Sequence, residues 1–243
     1  MRRELRILGW TLALGGMWAG GSRVLEALPS MAAFRVTDVK VTGLKYVARD
    51  DVVRMLRLTP ETSVWGDTDE WARRLEEHPM LEHVRVERRM PGTLVVHVTE
   101  RRPVALVPTP TLEPVDALGR RLPVDPAVHR LDLPVLLIDE KPARGARLLP
   151  SHARALAAEV GRLQEADTTF LQMVSDVAWR GAHTVVARWT DPDVDFLLEP
   201  GASARRVREG LAALADALGR EPGRTPKEID LRYADQVVVR RTR

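Results

Sequence analysis

The chain has 243 residues, 44% of them hydrophobic and 29% charged, enough to bury a core and too apolar for wholesale disorder. Lys plus Arg number 37 against 34 Asp plus Glu, a net +3 with the signs interspersed, which argues against the strong basic field of a nucleic-acid binder. There is no Cys, so disulfide frameworks, thiolate metal sites and Cys nucleophiles are excluded.

Arg2, Arg3 and Arg6 precede an uncharged run from Ile7 to Ser22, whose bulky apolar residues include Ile7, Trp10, Leu12, Leu14 and Trp18. A helix of that length reaches about 24 Å, short of the roughly 30 Å hydrocarbon core. The run fits a signal peptide, with Ala19, Gly20 and Gly21 small enough for a cleavage site. It also fits an anchor in which Arg23 snorkels and the apolar pattern resumes through Val24, Leu25, Ala27 and Leu28. The expectation is a transmembrane anchor over 7–28, with 1–6 cytoplasmic and the remainder translocated. Gly16 and Gly20 form a G-x-x-x-G pair, a spacing that admits a second helix but is also common in such segments.

A first domain is expected over 34–102. Phe34 and Val36 share one strand face and Val39 and Val41 the next phase, a pattern that reads as a bulged strand ended by Gly43. Val52, Val53 and Leu56 stand at helical spacing before Pro60. Asp67 and Glu70 form a capping box for a second helix carrying Trp71 and Leu75, stopped at His78 and Pro79. Two alternating runs then meet at Met90, Pro91, Gly92 and Thr93, where Pro followed by Gly predicts a type II turn. The order is β-α-α-β-β.

This order, with V-x-V-x-G, the HP before the hairpin, and M-P-G-T-L-V-V-H-V-T-E-R-R-P-V-A across it, resembles the POTRA module of the FtsQ/DivIB family of bacterial cell-division proteins. The hairpin end from Glu100 to Ala105 is the most specific part, while Met90 stands where the family usually has an aromatic residue.

A second domain is expected over 103–243. Val115 to Pro123 reads as a strand, a turn at Leu118 and Gly119, and a return, and Leu133 to Asp139 as a buried strand. Ser151 is placed as the cap of a helix carrying Leu156, Val160 and Leu163. Strands follow near Met173 to Trp179, Thr184 to Trp189 and Val194 to Leu198. Ser203 caps a helix with Val207, Leu211, Leu214 and Leu218 that Gly219 ends, and two short strands flank a turn near Ala234 and Asp235. The V-D-x-x-G turn, the L-P-V strand and the closing I-D-L-R-Y are similar to the same family, so the likeness extends over nearly the whole chain. The fold class is α+β: an N-terminal transmembrane helix, a small POTRA domain, then a mixed domain dominated by an antiparallel sheet.

No catalytic pattern emerges. His78, His83, His97, His129, His152 and His183 are scattered, without H-E-x-x-H or an i, i+4 pair. Ser151 and Ser203 sit at helix starts, where capping accounts for them. Asp67, Asp69 and Glu70 form a carboxylate cluster of the kind that cleaves glycans, yet a helix N-terminus already rewards negative charge. Arg205, Arg206 and Arg208 read as a solvated helix face. The expectation is a protein that is not an enzyme and that needs no cofactor, metal or small-molecule substrate.

Function then falls to surfaces. The final strand lies close to the end of the sequence and is expected at a sheet edge, where free N–H and C=O groups can pair with an incoming strand. The resemblance implies that this region captures FtsB-type partners, themselves bound to FtsL-type proteins, with the D-L-R-Y tyrosine, Tyr233, on that surface. Val237 and Val239, on one face of the final strand, extend the candidate surface, unless they are core residues. The resemblance further implies an inner-membrane protein at the septum with periplasmic domains and other division proteins as partners. The competing reading is a POTRA chaperone for secretion or outer-membrane assembly, though no series of lipid-facing barrel strands is present. A cell-wall hydrolase would need an acid, base or metal site that the sequence does not offer.

Overall fold

The computed structural model describes residues 32–241 except 110, 141, 144 and 222. The expected anchor over 7–28, with Ile7, Trp10, Leu12, Leu14 and Trp18, lies outside the described residues, as does the G-x-x-x-G pair. Among the described residues no helix is long and apolar enough to cross a membrane. The chain is a mixed α+β protein in two compact units divided between Glu100 and Arg101.

The N-terminal unit runs from a 3-10 turn at Ala32–Phe34 through strand β1 (Asp38–Thr42), helices α1 (Arg49–Leu56) and α2 (Thr68–Glu76), and strands β2 (Leu81–Arg89) and β3 (Thr93–Glu100). The sheet order is β1-β3-β2, with β1 parallel and β2 antiparallel to the central β3. Alternation along β3 turns Leu94, Val96 and Val98 to one face, and these pack with Val52 and Leu56 of α1 and Trp71 and Leu75 of α2.

Three local expectations change. The run from Phe34 is not one bulged strand: Arg35 only bridges Ser63, and β1 begins at Asp38. The change of phase falls where the N–H of Thr37 bonds the Gly92 carbonyl at 2.8 Å. The type II turn does not form. Gly92 lacks a positive φ and the Met90–Pro91 peptide is cis. Glycine is required there by close approach instead, since a Cβ would stand 2.3 Å from the Arg35 carbonyl oxygen. The capping box is half made: Asp67 accepts from the N–H groups of Asp69 and Glu70 at 2.9 and 3.0 Å, while Glu70 turns to Arg74.

The C-terminal unit contains β4 (Ala105–Pro108), β5 (Leu112–Val115), β6 (Val135–Leu137), α3 (Ser151–Ala166), α4 (Thr168–Gln172), β7 (Val174–Trp179), β8 (Val185–Thr190), β9 (Asp193–Leu198), α5 (Ala204–Arg220), β10 (Glu228–Asp230) and β11 (Val238–Arg240). Its described strands form one sheet in the order β11-β10-β9-β8-β7-β6-β4-β5. The sheet is mixed, with four antiparallel and three parallel ladders among the described residues. Val177, Ala187, Phe196 and Ile229 lie in register across it and share the buried core with Leu156 and Val160 of α3 and Val207 and Leu214 of α5. Phe170, Trp189 and Phe196 close that core with ring centroids 5.0 to 5.7 Å apart.

Here too the structure corrects details. Only Val135–Leu137 of the apolar run at 133–139 is strand, and Leu137 is exposed, because one face of β6 is covered and the other is not. Pro150, not Ser151, holds the N-cap position of α3, and no side chain caps that helix. Ser203 does cap α5, accepting from the Arg206 N–H. Gly219 lies within α5, which continues to Arg220. The return after Gly119 is reduced to single bridges at Arg120 and Arg121.

Candidate partner interface

Ile229 and Leu231 anchor the last segment of the chain, being essentially inaccessible between the sheet and α5. The Leu231 N–H donates to the Leu197 carbonyl at 2.8 Å, carrying the parallel pairing of β9 and β10 one residue further. Gly210 of α5 allows the close approach, since a Cβ there would meet the Leu231 side chain at 2.7 Å. Between Ile229 and Leu231 the fully buried Asp230 points the other way and is met by Arg232, at 2.8 and 2.6 Å, and by Arg240, at 3.2 Å. The Arg232 hydrogen bonds hold the Asp230 carboxyl below its ordinary range, against the opposing effect of burial.

The loop from Leu231 to Val237 is held from α5 by Arg206. Its guanidinium donates to the Leu231 carbonyl at 2.9 Å and also to the carbonyls of Tyr233 and Gln236. Only Arg205 and Arg208 of the arginine run are exposed, while Arg206 turns inward, a correction to the uniformly solvated face expected from sequence. With the backbone fixed at three points, the Tyr233 side chain is left 44% exposed.

β11 follows and pairs antiparallel with β10, placing Val239 opposite Ile229, Val238 opposite Asp230 and Arg240 opposite Glu228. Val237 and Val239 are partly buried and pack against the core. β11 stands at the end of the sheet, so among the described strands its second edge has no neighbour. The structure thus brings Tyr233 and the open edge onto one segment, while the two valines seat that segment on the core.

The sheet face opposite the core carries a row of charges running to that edge. Asp176, Arg188, Asp195, Glu228 and Arg240 are consecutive register partners across β7 to β11. Arg188 meets Asp195 at 3.0 Å, Arg240 meets Glu228 at 3.1 Å, and Arg180 bridges Asp195 and Glu228 at 3.0 and 2.6 Å. Hydrogen bonds from Arg180 first, then Arg240, lower the Glu228 pKa. The row separates two adjacent carboxylates with a guanidinium and fixes the face of the terminal strands.

Asp67, Asp69 and Glu70 belong to the start of α2, where N–H donation from Glu70 lowers the Asp67 pKa. Among the described residues no three His, Asp or Glu side chains come together as a metal site. Two motif residues have structural duties that the sequence reading did not assign. Glu100 accepts the backbone N–H groups of Lys45, Tyr46 and Val47 at 3.1, 2.8 and 2.9 Å. Asp116, in V-D-x-x-G, accepts those of Leu118 and Arg120 at 3.0 and 2.8 Å, and Gly119 takes the positive φ of that turn against Arg154.

Residues 34–101 match the family model of the FtsQ-type POTRA domain. A cell division protein FtsQ of Myxococcus fulvus is 33% identical over 135 residues, covering 55% of this chain and 48% of that protein. A cell division protein FtsQ of Geobacter sp. (strain M21) is 24% identical over 240 residues, covering 97% of this chain and 86% of that protein. The alignment thus spans about half the length of the first relative and most of the second. Among solved structures, the major extracytoplasmic domain of the cell division protein DivIB from Geobacillus stearothermophilus is 22% identical, with a TM-score of 0.34 over 51% of this chain and 98% of that one.

Proposed function

We propose that the chain, which matches the FtsQ-type POTRA model and resembles FtsQ cell-division proteins, is a membrane-anchored member of the FtsQ/DivIB family and a non-catalytic scaffold of the divisome, joining cytoplasmic and periplasmic division proteins and binding FtsB- and FtsL-type partners at its terminal sheet edge. The observation that carries the reading is the position of β11: it closes the sheet on one side only, next to the exposed ring of Tyr233. An incoming strand would pair with the free main-chain groups of β11, and an apolar side chain of the partner would pack on Tyr233. Val237 and Val239 contribute by setting the register of the edge against the core. In this reading residues 7–28 are the anchor, 34–102 and 103–243 are the two extracytoplasmic domains, and the protein is placed in the inner membrane at the septum.

The test is capture of the FtsB-type protein of the same organism by the full chain in detergent, comparing wild type, Tyr233→Ala and a truncation before Ala234. Binding lost in both variants, with circular dichroism retained, supports the terminal site. Undiminished binding in both variants moves the site elsewhere, and failure of the wild type to bind favours a general POTRA chaperone.

A further inference from the structure

The described chain begins beside an apolar patch of the N-terminal unit. The Phe34 ring stands edge-on to Trp65 with centroids 6.1 Å apart, and Trp65 remains 45% exposed. Met90, also 45% exposed, lies in the β2–β3 turn, whose Gly92 carbonyl receives the Thr37 N–H. The three side chains therefore share one end of the three-stranded sheet. Arg88 ties that end together by donating to the Val64 and Gly66 carbonyls at 3.1 and 2.9 Å. Arg35 and Arg89 are exposed beside it. Beside these three arginines stand Asp38 and the acidic start of α2, where Asp67 accepts the N–H groups of Asp69 and Glu70, and Glu70 pairs with Arg74.

We infer that this end of the N-terminal unit seats in the headgroup layer of an anionic membrane, with Trp65 and Met90 entering the interface and Arg35 and Arg89 meeting lipid phosphates. The inference rests on the reading of residues 7–28 as an anchor. Ala32 follows Leu28 by four positions, and a fully extended chain gains at most about 3.6 Å per residue, so the start of this unit, two residues before Phe34, is tethered within about 15 Å of the end of the apolar run. The headgroup layer itself is about 5–8 Å thick on each side. A tryptophan is amphipathic and favours that layer, and guanidinium groups near the surface gain from anionic lipid. An exposed pair of large apolar side chains rimmed by arginine and tethered this closely has a lipid surface as its nearest partner. The opposite end of the sheet, at Lys45 and Glu100, stands about 23 Å away along β3 at 3.3 Å per residue.

Because the chain has no Cys, single-cysteine variants report position cleanly. Full-length Met90→Cys and Lys45→Cys, each carrying a polarity-sensitive fluorophore, would be reconstituted in phosphatidylethanolamine/phosphatidylglycerol vesicles containing a headgroup spin label. Expected is co-flotation of both, quenching at position 90 several-fold above that at 45, and a fall at 90 when Arg35→Glu and Arg89→Glu are combined or phosphatidylglycerol is omitted. Equal quenching at the two positions with flotation intact overturns the inference alone. A buried but unquenched label at 90 overturns it in favour of a protein neighbour. Loss of flotation overturns the anchor and the inference together.

Discussion

The Nη2 of Arg240 stands 3.2 Å from Oδ2 of Asp230, a carboxylate with no accessible surface. The same guanidinium holds Glu228 at 3.1 Å, so the edge strand is bound to its neighbour by side-chain charge as well as by its ladder. Both carboxyl groups have folded pKa values below their ordinary ones, Asp230 through Arg232 first and Glu228 through Arg180 first. Their stabilisation is therefore present above the unfolded carboxyl pKa values and is lost as pH falls through the folded ones. Acid titration by circular dichroism should show unfolding below about pH 4, and Asp230→Asn should flatten that limb while costing about 2 kcal/mol at neutral pH. An unchanged acid limb would mean that the pair does not couple the terminal strands to pH.

Arg206 reaches the carbonyls of Leu231, Tyr233 and Gln236 from α5, with its side chain 13% exposed. Removing it takes a shared donor from three acceptors on the loop that carries Tyr233. Arg206→Ala is expected to cost about 1–3 kcal/mol in urea unfolding and to weaken capture of the FtsB-type partner. Arg205→Ala, on a side chain 84% exposed and paired with Glu209, should leave both nearly unchanged. Equal losses in the two variants would remove the positioning role.

The periodic parts of this fold were legible because each buries one face. Leu94, Val96 and Val98 announced a strand, and Trp71 with Leu75 a helix. Tyr233 is proposed as a site residue through its motif, and the structure adds that its ring is exposed and that β11 stands at the end of the described sheet. What the sequence hid depends on groups distant along the chain. Gly92 looked like a φ requirement but is a close approach to Arg35, 57 residues earlier. The row from Asp176 to Arg240 exists only once β9 and β10 run parallel, a pairing no local pattern announces. Arg206 shares its neighbourhood in sequence with two solvated arginines, and only the loop at Leu231 distinguishes it.

Glu100 shows what the most specific motif of the hairpin does. Three consecutive N–H groups, from Lys45, Tyr46 and Val47, converge on its carboxylate. Shortening the side chain removes the acceptor common to all three. Glu100→Ala should cost the N-terminal unit about 3 kcal/mol, with Glu100→Gln intermediate because it keeps one carbonyl oxygen without the charge. Hydrogen exchange that loosens only residues 38–100 would bear this out, and unchanged protection there would refute it.

Two helical glycines should respond to alanine with opposite signs. Gly161 of α3 would place a Cβ 2.7 Å from the Cβ of Ala117, so helix and turn would have to separate, and neither contact is the end of a flexible side chain. The steric cost of about 1–3 kcal/mol outweighs a propensity gain of up to about 1 kcal/mol, so Gly161→Ala should lower Tm. Gly219 of α5 has ordinary helical φ, and a Cβ added there would meet nothing within 4 Å, so alanine adds helix propensity and removes unfolded-state freedom without strain. Gly219→Ala should therefore raise stability by about 0.5–1 kcal/mol, read as an upward shift in thermal melting. A fall in Tm for Gly219→Ala would show that α5 ends before Arg220, at the glycine itself.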